Sequence, residues 1–372
     1  MRQKRRRTPP APGQAAGTLT VRRGVVACLI GVCTLPLLLQ QRRGLLWDSL
    51  GSSREEEDFG QGIQFFAIGD WGSALDDAEM RSDQLKVASA MSTWARAMKP
   101  RFVLSLGDQA YPAGVANLSE AQSRFQTAFT DTYREVKSPG GWFLTPGNHD
   151  CAGNTSAQYR YSGMNSRWHM KPYQILREED LDMDGRPRAS LVVIIVDMCT
   201  LVCRFPGPEN FRCEGLARGS AEDRLTLLRR LRADLTRAGC EAEGTWCVVA
   251  GHWPIFSFGG NGPTDALISD LVPTLREAKV AAFFSGHDHN LQHLFRPQDG
   301  QSSPHYFVCG AGGYRLHPTL KPEADATLNE GVQKLFHETV HGFAAITVGK
   351  ASLQVRLVDA NGALVHTAVL EK

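Results

Sequence analysis

The chain has 372 residues, 42% of them apolar, enough for one large domain or two ordinary ones with a sizeable core. Its net charge of +2 hides an asymmetry: residues 1–47 hold nine Lys/Arg and no acidic residue, which leaves 32 basic against 39 acidic residues, a net of −7, for the rest. So mildly acidic a body argues against a nucleic-acid-binding surface, which would carry a basic footprint.

Arg2, Lys4, Arg5, Arg6 and Arg7 open the chain, followed by a Pro/Ala/Gly spacer, Arg22 and Arg23. Residues 24–39 are a mostly apolar run, so 1–23 and 24–39 read as the basic and hydrophobic parts of a secretory signal or a type II signal-anchor. The run is short for a membrane span and contains Pro36, so cleavage and anchoring both fit. An organelle transit peptide is a third reading, opposed by the length of the apolar run. Residues 40–60 are polar, carry Gly and Ser and end in an acidic run, as a flexible linker does. Two sequons, at Asn117 and Asn154, accord with the secretory route.

From residue 61 the pattern alternates strand and helix. A helix is expected over 83–98 with Leu85, Ala88, Met91, Ala95 and Met98 on one stripe, and another over 119–133 with Phe125 and Phe129 four apart. Residues 151–189 lack periodicity but carry Tyr159, Tyr161, Trp168 and Tyr173, which suggests a long functional loop. Residues 191–196 are apolar throughout, as in a strand covered on both faces. A cysteine-bearing loop over 198–219 leads to a helix opened by Ser220 with Asp223 three on, carrying Leu227, Leu228, Leu231 and Leu235. A helix over 264–278 should break near Pro273, and strands are expected at 306–309, 343–348 and 353–358. Two of the nine cysteines lie in the leader; the other seven fit no zinc spacing. In an oxidising compartment Cys199, Cys203 and Cys213, within one loop, and Cys240 with Cys247 are candidate bridge partners, with one thiol left over. The elements add up to an α/β (α+β) domain over 61–372 with two layers of sheet and helices outside.

Five strand-like runs end in residues that carry chemistry: FFAIGDW (65–71), RFVLSLGDQAYP (101–112), WFLTPGNHD (142–150), WCVVAGHWP (246–254) and AAFFSGHDHN (281–290). A glycine lets the backbone turn at each strand end, where open α/β folds place their sites. Asp70, Asp108, Tyr111, Asn148, His252, His287 and His289 are together too many donors for one metal ion. Divided in two with Asp108 shared, they make two sites of four protein ligands. Two cations ~3.5–4 Å apart are a standard device for in-line displacement at phosphorus. Oxygen donors with a tyrosinate favour Fe(III) on one side, and the imidazole-rich side suits Fe(II), Zn(II) or Mn(II).

The blocks GDWG (69–72), GDQAY (107–111), GNHD (147–150), GHWP (251–254) and GHDHNLQ (286–292) resemble the calcineurin-like metallophosphoesterase superfamily. More narrowly they resemble the small, tartrate-resistant type of purple acid phosphatase. The tyrosine three residues after Asp108 separates the chain from the protein serine/threonine phosphatases, whose blocks read GDxVDRG and GNHE. The resemblance implies a four-layer αββα sandwich of two mixed β-sheets flanked by helices. It places Asp70, Asp108, Tyr111 and His289 on Fe(III), and Asp108, Asn148, His252 and His287 on the divalent ion. It implies hydrolysis of small-molecule or protein phosphomonoesters at acid pH by a metal-bound hydroxide. His149 would face the substrate and help protonate the leaving oxygen, with Asp150 orienting it.

The chain also departs from that family. Asn261 stands where a second substrate-facing histidine is usual, just before Gly262-Pro263-Thr264, and Cys151 follows GNHD where histidine is frequent. Residues 198–219 match the family's regulatory loop poorly. A phosphodiesterase, pyrophosphatase or nucleotidase of the same superfamily is the main alternative. A catalytically silent binding protein is another, opposed by the complete ligand set. His169, His293, His305, His317, His337, His341 and His366 match no ligand position and read as surface or core, with a substrate role the lesser alternative for each, while Trp71 and Trp253 read as packing around the site.

Overall fold

Phe65 and Phe66 are neighbours in sequence but lie on opposite faces of one strand, and this two-residue alternation sets the layering of the whole molecule. The computed structural model describes residues 62–72, 77–202, 221–297, 303–321 and 327–372. The basic leader, the apolar run 24–39 and the linker 40–60 lie outside the described residues.

In chain order the first half comprises β1 (Ile63–Ile68), α1 (Ala78–Met98), β2 (Phe102–Ser105), α2 (Leu118–Phe125) continued by a π-helical turn (Gln126–Asp131), β3 (Trp142–Leu144), α3 (Asn148–Ala152), α4 (Thr155–Tyr161), β4 (Trp168–Met170), β5 (Tyr173–Leu181) and β6 (Pro187–Val196). Then come α5 (Cys199–Val202), α6 (Ala221–Ala238), β7 (Thr245–Ala250), α7 (Asp265–Glu277), β8 (Ala282–Ser285), β9 (Leu291–Phe295), β10 (His305–Cys309), β11 (Gln333–Glu338), β12 (Gly342–Val348), β13 (Ser352–Asp359) and β14 (Leu364–Glu371). One sheet runs β14-β13-β12-β1-β2-β3-β4 and the other β11-β9-β10-β8-β7-β6-β5. Both are mixed: β1 to β4 are parallel, as are β6, β7, β8 and β10, and the remaining pairs are antiparallel.

Ile63, Phe65, Ala67 and Leu104 of the first sheet meet Val193, Ile195, Val248 and Phe284 of the second in the central core. Phe66 and Val103 point the other way, onto Val87 and Met91 of α1 and Phe125 of α2. Val192, Ile194 and Val249 likewise pack outward onto Leu231 and Leu235 of α6 and Leu267 and Leu271 of α7. The result is the expected four-layer αββα sandwich. Each sheet is covered on both faces, so its central strands read as unbroken apolar runs.

Several local expectations change. Helix α1 starts five residues earlier than predicted, because the Asp77 side chain caps the amides of Glu79 and Met80. Its buried face therefore runs through Met80, Gln84, Val87, Met91 and Ala95, and Leu85 is exposed. Helix α7 runs through Pro273 without a break, held by the buried stripe Leu267, Leu271 and Leu275. Residues 151–189 are no loop: they hold α4, β4 and β5, with Trp168 and Tyr161 buried and Tyr159 and Tyr173 packed against the two outer cores. Cys199 pairs with Cys151 rather than within its own loop, while Cys240 pairs with Cys247 as expected. Cys203, Cys213 and Ser220 lie outside the described residues. Cys309 is a free, buried thiol.

Three of the histidines unmatched to any ligand position form a chain between the sheets. His293 Nε2 lies 2.7 Å from His305 Nδ1, and His293 Nδ1 lies 2.9 Å from His366 Nε2. Phe307, Phe295 and Phe336 stack on the three rings. Burial, with His305 and His366 adding to it, pushes His293 down to about 3, and burial pushes His305 down to about 4. Their pKa values in the unfolded chain are higher, ~6.5, so the unfolded state binds more protons below that pH. The stability held above pH ~6.5 is then lost as the pH falls toward 4. His293→Phe should therefore lose less melting temperature than the wild type between pH 7 and pH 4.5 in thermal unfolding; equal losses would show that the chain of rings does not set acid tolerance.

Candidate metal centre

The ends of β1, β2 and β3 in one sheet and of β7 and β8 in the other reach the same edge of the sandwich, and all seven candidate ligands gather there. Asp70, Asp108 and His287 sit in the left-handed region, with φ of 59°, 55° and 69°. Non-glycine residues adopt that backbone at a cost that surrounding structure must hold in place, and such residues concentrate at functional sites. The glycines beside them are required by close approach. A Cβ on Gly147 would lie 2.2 Å from Asp108 Oδ1, and one on Gly107, itself at φ 100°, would lie 2.3 Å from His252 Nδ1.

The donor atoms form two triangles. In the first, Asn148 Oδ1 is 2.9 Å from His252 Nε2 and 2.9 Å from His287 Nδ1, and the two ring nitrogens are 3.2 Å apart. In the second, the Tyr111 hydroxyl is 3.0 Å from Asp70 Oδ1 and 3.2 Å from His289 Nε2, which is 3.3 Å from the same Asp70 oxygen. Asp108 lies beside the first triangle, its Oδ2 3.5 Å from His252 Nε2.

Backbone carbonyls set the tautomers. His252 Nδ1 meets Leu106 O at 2.8 Å, and His289 Nδ1 meets Arg315 O. A carbonyl only accepts, so each neutral ring carries its proton on Nδ1 and aims an Nε2 lone pair into the centre. At His252 that lone pair faces the Asn148 oxygen. His287 Nε2 is buried with no hydrogen-bond partner. Facing lone pairs at such spacing are repulsive unless a cation lies among them, and oxygen and imidazole nitrogen are the donors that Fe, Zn and Mn accept. The residues thus fit a metal pair.

The electrostatics agree. Burial, with the Asp108 carboxylate adding to it, pushes Asp70 up to about 8, and burial together with His252 holds His287 well below the usual histidine range. Burial also pushes up the Tyr111 hydroxyl, with Asp108 and Asp70 contributing. A dry site of this kind resists bare charge and rewards a bound cation.

His149 sits at the edge of the centre. Pro112 O, 2.6 Å from its Nδ1, orients the ring, leaving Nε2 3.9 Å from Asp108. Asp150 does not orient it. Its carboxylate accepts from the main chain of Gly147 (2.9 Å) and Gln109 (3.1 Å) and from Gln158 Nε2 (2.9 Å), so it clamps the five-residue helix α3 to the end of β2. Asn261 stands at the rim, its Nδ2 donating to His287 O at 3.1 Å. Trp253 packs edge-on against His252 and Trp71 is wholly buried, as predicted for packing residues.

Two residues near the centre, Asp288 and Tyr314, were missed, and a third, His317, was read as surface or core. Asp288, between two ligands in GHDHN, accepts from Ser257 and the main chain of Asn261. Tyr314 stacks on Tyr111 at 3.6 Å between centroids, and His317 stacks on His289 at 3.7 Å. Asp288 was visible in its motif; the stretch GYRLHP around the other two has no pattern that marks them. Beside Tyr111 opens a cavity of about 460 Å³ lined by Pro112, Glu120, Arg124 and Asn154.

The sequence profile of calcineurin-like phosphoesterases matches residues 63–291. Tartrate-resistant acid phosphatase type 5 of Sus scrofa is 30% identical over 309 residues, covering 81% of this chain and 84% of that protein. Purple acid phosphatase 4 of Arabidopsis thaliana is 28% identical over 309 residues, covering 82% of each. Among solved structures, GAP50, described as the anchor in the inner membrane complex of Plasmodium, superposes with a TM-score of 0.66 at 20% identity, covering 84% of this chain and 89% of that one. Purple acid phosphatase PPD1 from yellow lupin gives 0.54 at 14% identity, covering 83% and 53%. The two structures show the fold.

Removing the clamp tests its role. Asp150→Ala should strand two buried amides and cost about 2–4 kcal/mol in urea unfolding. Unaltered stability with a loss confined to turnover would return Asp150 to the service of His149.

Proposed function

Because the chain belongs to the calcineurin-like phosphoesterase family, we propose that it is a metal-dependent phosphomonoesterase of the purple acid phosphatase type. The observation that carries this reading is the pair of donor triangles flanking Asp108. On this reading Asp70, Tyr111, His289 and Asp108 would hold Fe(III), and Asn148, His252, His287 and Asp108 would hold Fe(II), Zn(II) or Mn(II). When bound, such a pair polarises phosphoryl oxygens and activates water.

The chain's own groups do the rest. His149, with Nδ1 fixed by Pro112 O, presents Nε2 for the leaving oxygen, where it holds and delivers the proton. Asn261 contributes a hydrogen bond but has no proton to give, which leaves acid catalysis to His149. The cavity beside Tyr111 has room for the organic part of a phosphomonoester. The disulfides Cys151–Cys199 and Cys240–Cys247 support a secreted or lumenal location, to which the apolar run 24–39 would direct the chain, as a cleaved signal or as an anchor. Asn117 and Asn154, the two sequon residues, cap α2 and α4 at the surface.

Metal analysis of the purified chain should give two ions, with a visible tyrosinate-to-iron band and hydrolysis of an aryl phosphate at acid pH. Asp108→Ala should lose metal and about 10²–10³-fold or more of the activity, the scale of losing one preorganised stabiliser of the transition state. Retained activity in that variant would remove the shared-ligand reading. A preference for diesters or nucleoside diphosphates would favour the other phosphoesterase class, and two bound metals without turnover a silent binding protein.

A further inference from the structure

His317 stands at the rim of the centre on the segment that follows β10. Its ring lies 3.7 Å from that of His289, nearly parallel, with an angle of 23° between planes. The Nδ1 atom is 3.4 Å from the main-chain N of His289, 3.3 Å from Asn261 Nδ2 and 3.4 Å from Asp288 Oδ1. The first two are N–H groups and only donate. Asp288 only accepts, and also takes the main chain of Asn261 at 2.9 Å and the Ser257 hydroxyl. Nδ1 is thus held by all three neighbours, and the ring presents Nε2, which carries a proton in the Nε2–H tautomer and in the imidazolium alike. With its inner edge so engaged and 27% of the side chain exposed, the ring turns that N–H to the open side.

We propose that His317 is a substrate-binding residue that donates its Nε2–H to a non-bridging phosphoryl oxygen, and that Asn261 is the positioning residue that holds its ring in place. The Asn261 amide links the two parts of the rim, donating to His287 O at 3.1 Å and reaching His317 Nδ1. An Nε2–H that meets an anionic oxygen and keeps its proton supplies affinity rather than proton transfer. His149 and His317 then divide the work, one serving the leaving group and the other the phosphoryl group. The proposal rests on the phosphomonoesterase reading.

The test uses the metal-loaded full chain, with inorganic phosphate titrated by calorimetry and an aryl phosphate as substrate. His317→Ala should weaken phosphate binding and raise KM about tenfold, the worth of one hydrogen bond to a charged group, with kcat within about twofold of wild type. His317→Gln, which keeps an N–H donor, should recover most of the affinity. Asn261→Ala should weaken phosphate binding alone but add little in the His317→Ala background. Phosphate affinity unchanged in His317→Ala at full metal content would overturn the assignment. So would equal loss of metal in the Ala and Gln variants, which would make the ring only a support for His289. A wild type that binds two metals and phosphate without turnover ends the enzymatic reading, while the phosphate titrations still decide the role of His317.

Discussion

Lone pairs of like character repel when brought to about 3 Å in a dry interior, and this protein is organised to hold them there. Asn148 Oδ1 faces His252 Nε2 because Leu106 O has taken the proton-bearing edge of the ring. Three candidate ligand residues occupy left-handed backbone, and glycines at 107 and 147 make room for ring and carboxylate atoms that no side chain would tolerate. Folding energy from three apolar layers holds this arrangement, and cations would relieve it.

The centre was legible in sequence to the extent that local chemistry defines it. A strand, a glycine and a candidate ligand recur at 70, 108, 148, 252 and 287, and the number of donors, with the family resemblance, led to the expectation of two sites sharing one carboxylate. The αββα layering followed from apolar runs such as 191–196 that only a doubly covered sheet accommodates.

What was not legible depends on distant partners. Residues 151–189 looked structureless because β5 is an edge strand, its exposed face polar, and β4 has only three residues. The family resemblance made Asp150 a partner for His149, yet its carboxylate turns to the amides of residues 109 and 147. His317 lies 28 residues beyond His289 and reaches it only through the fold. Cys199 has other cysteines close in sequence, and its true partner lies 48 residues upstream.

That long-range bridge has a mechanical meaning. Asp70, Asp108, Tyr111 and Asn148 are carried by one sheet, while His252, His287 and His289 are carried by the other, so any sliding or book-like opening of the layers would detune every ligand spacing at once. Cys151 lies in the Asn148 helix at the margin of the first sheet, and Cys199 follows β6 in the second, with Cα atoms 6.5 Å apart. The sulfur link is thus a stitch across the seam of the sandwich, set where a small slip between its halves would blunt the metal grip first.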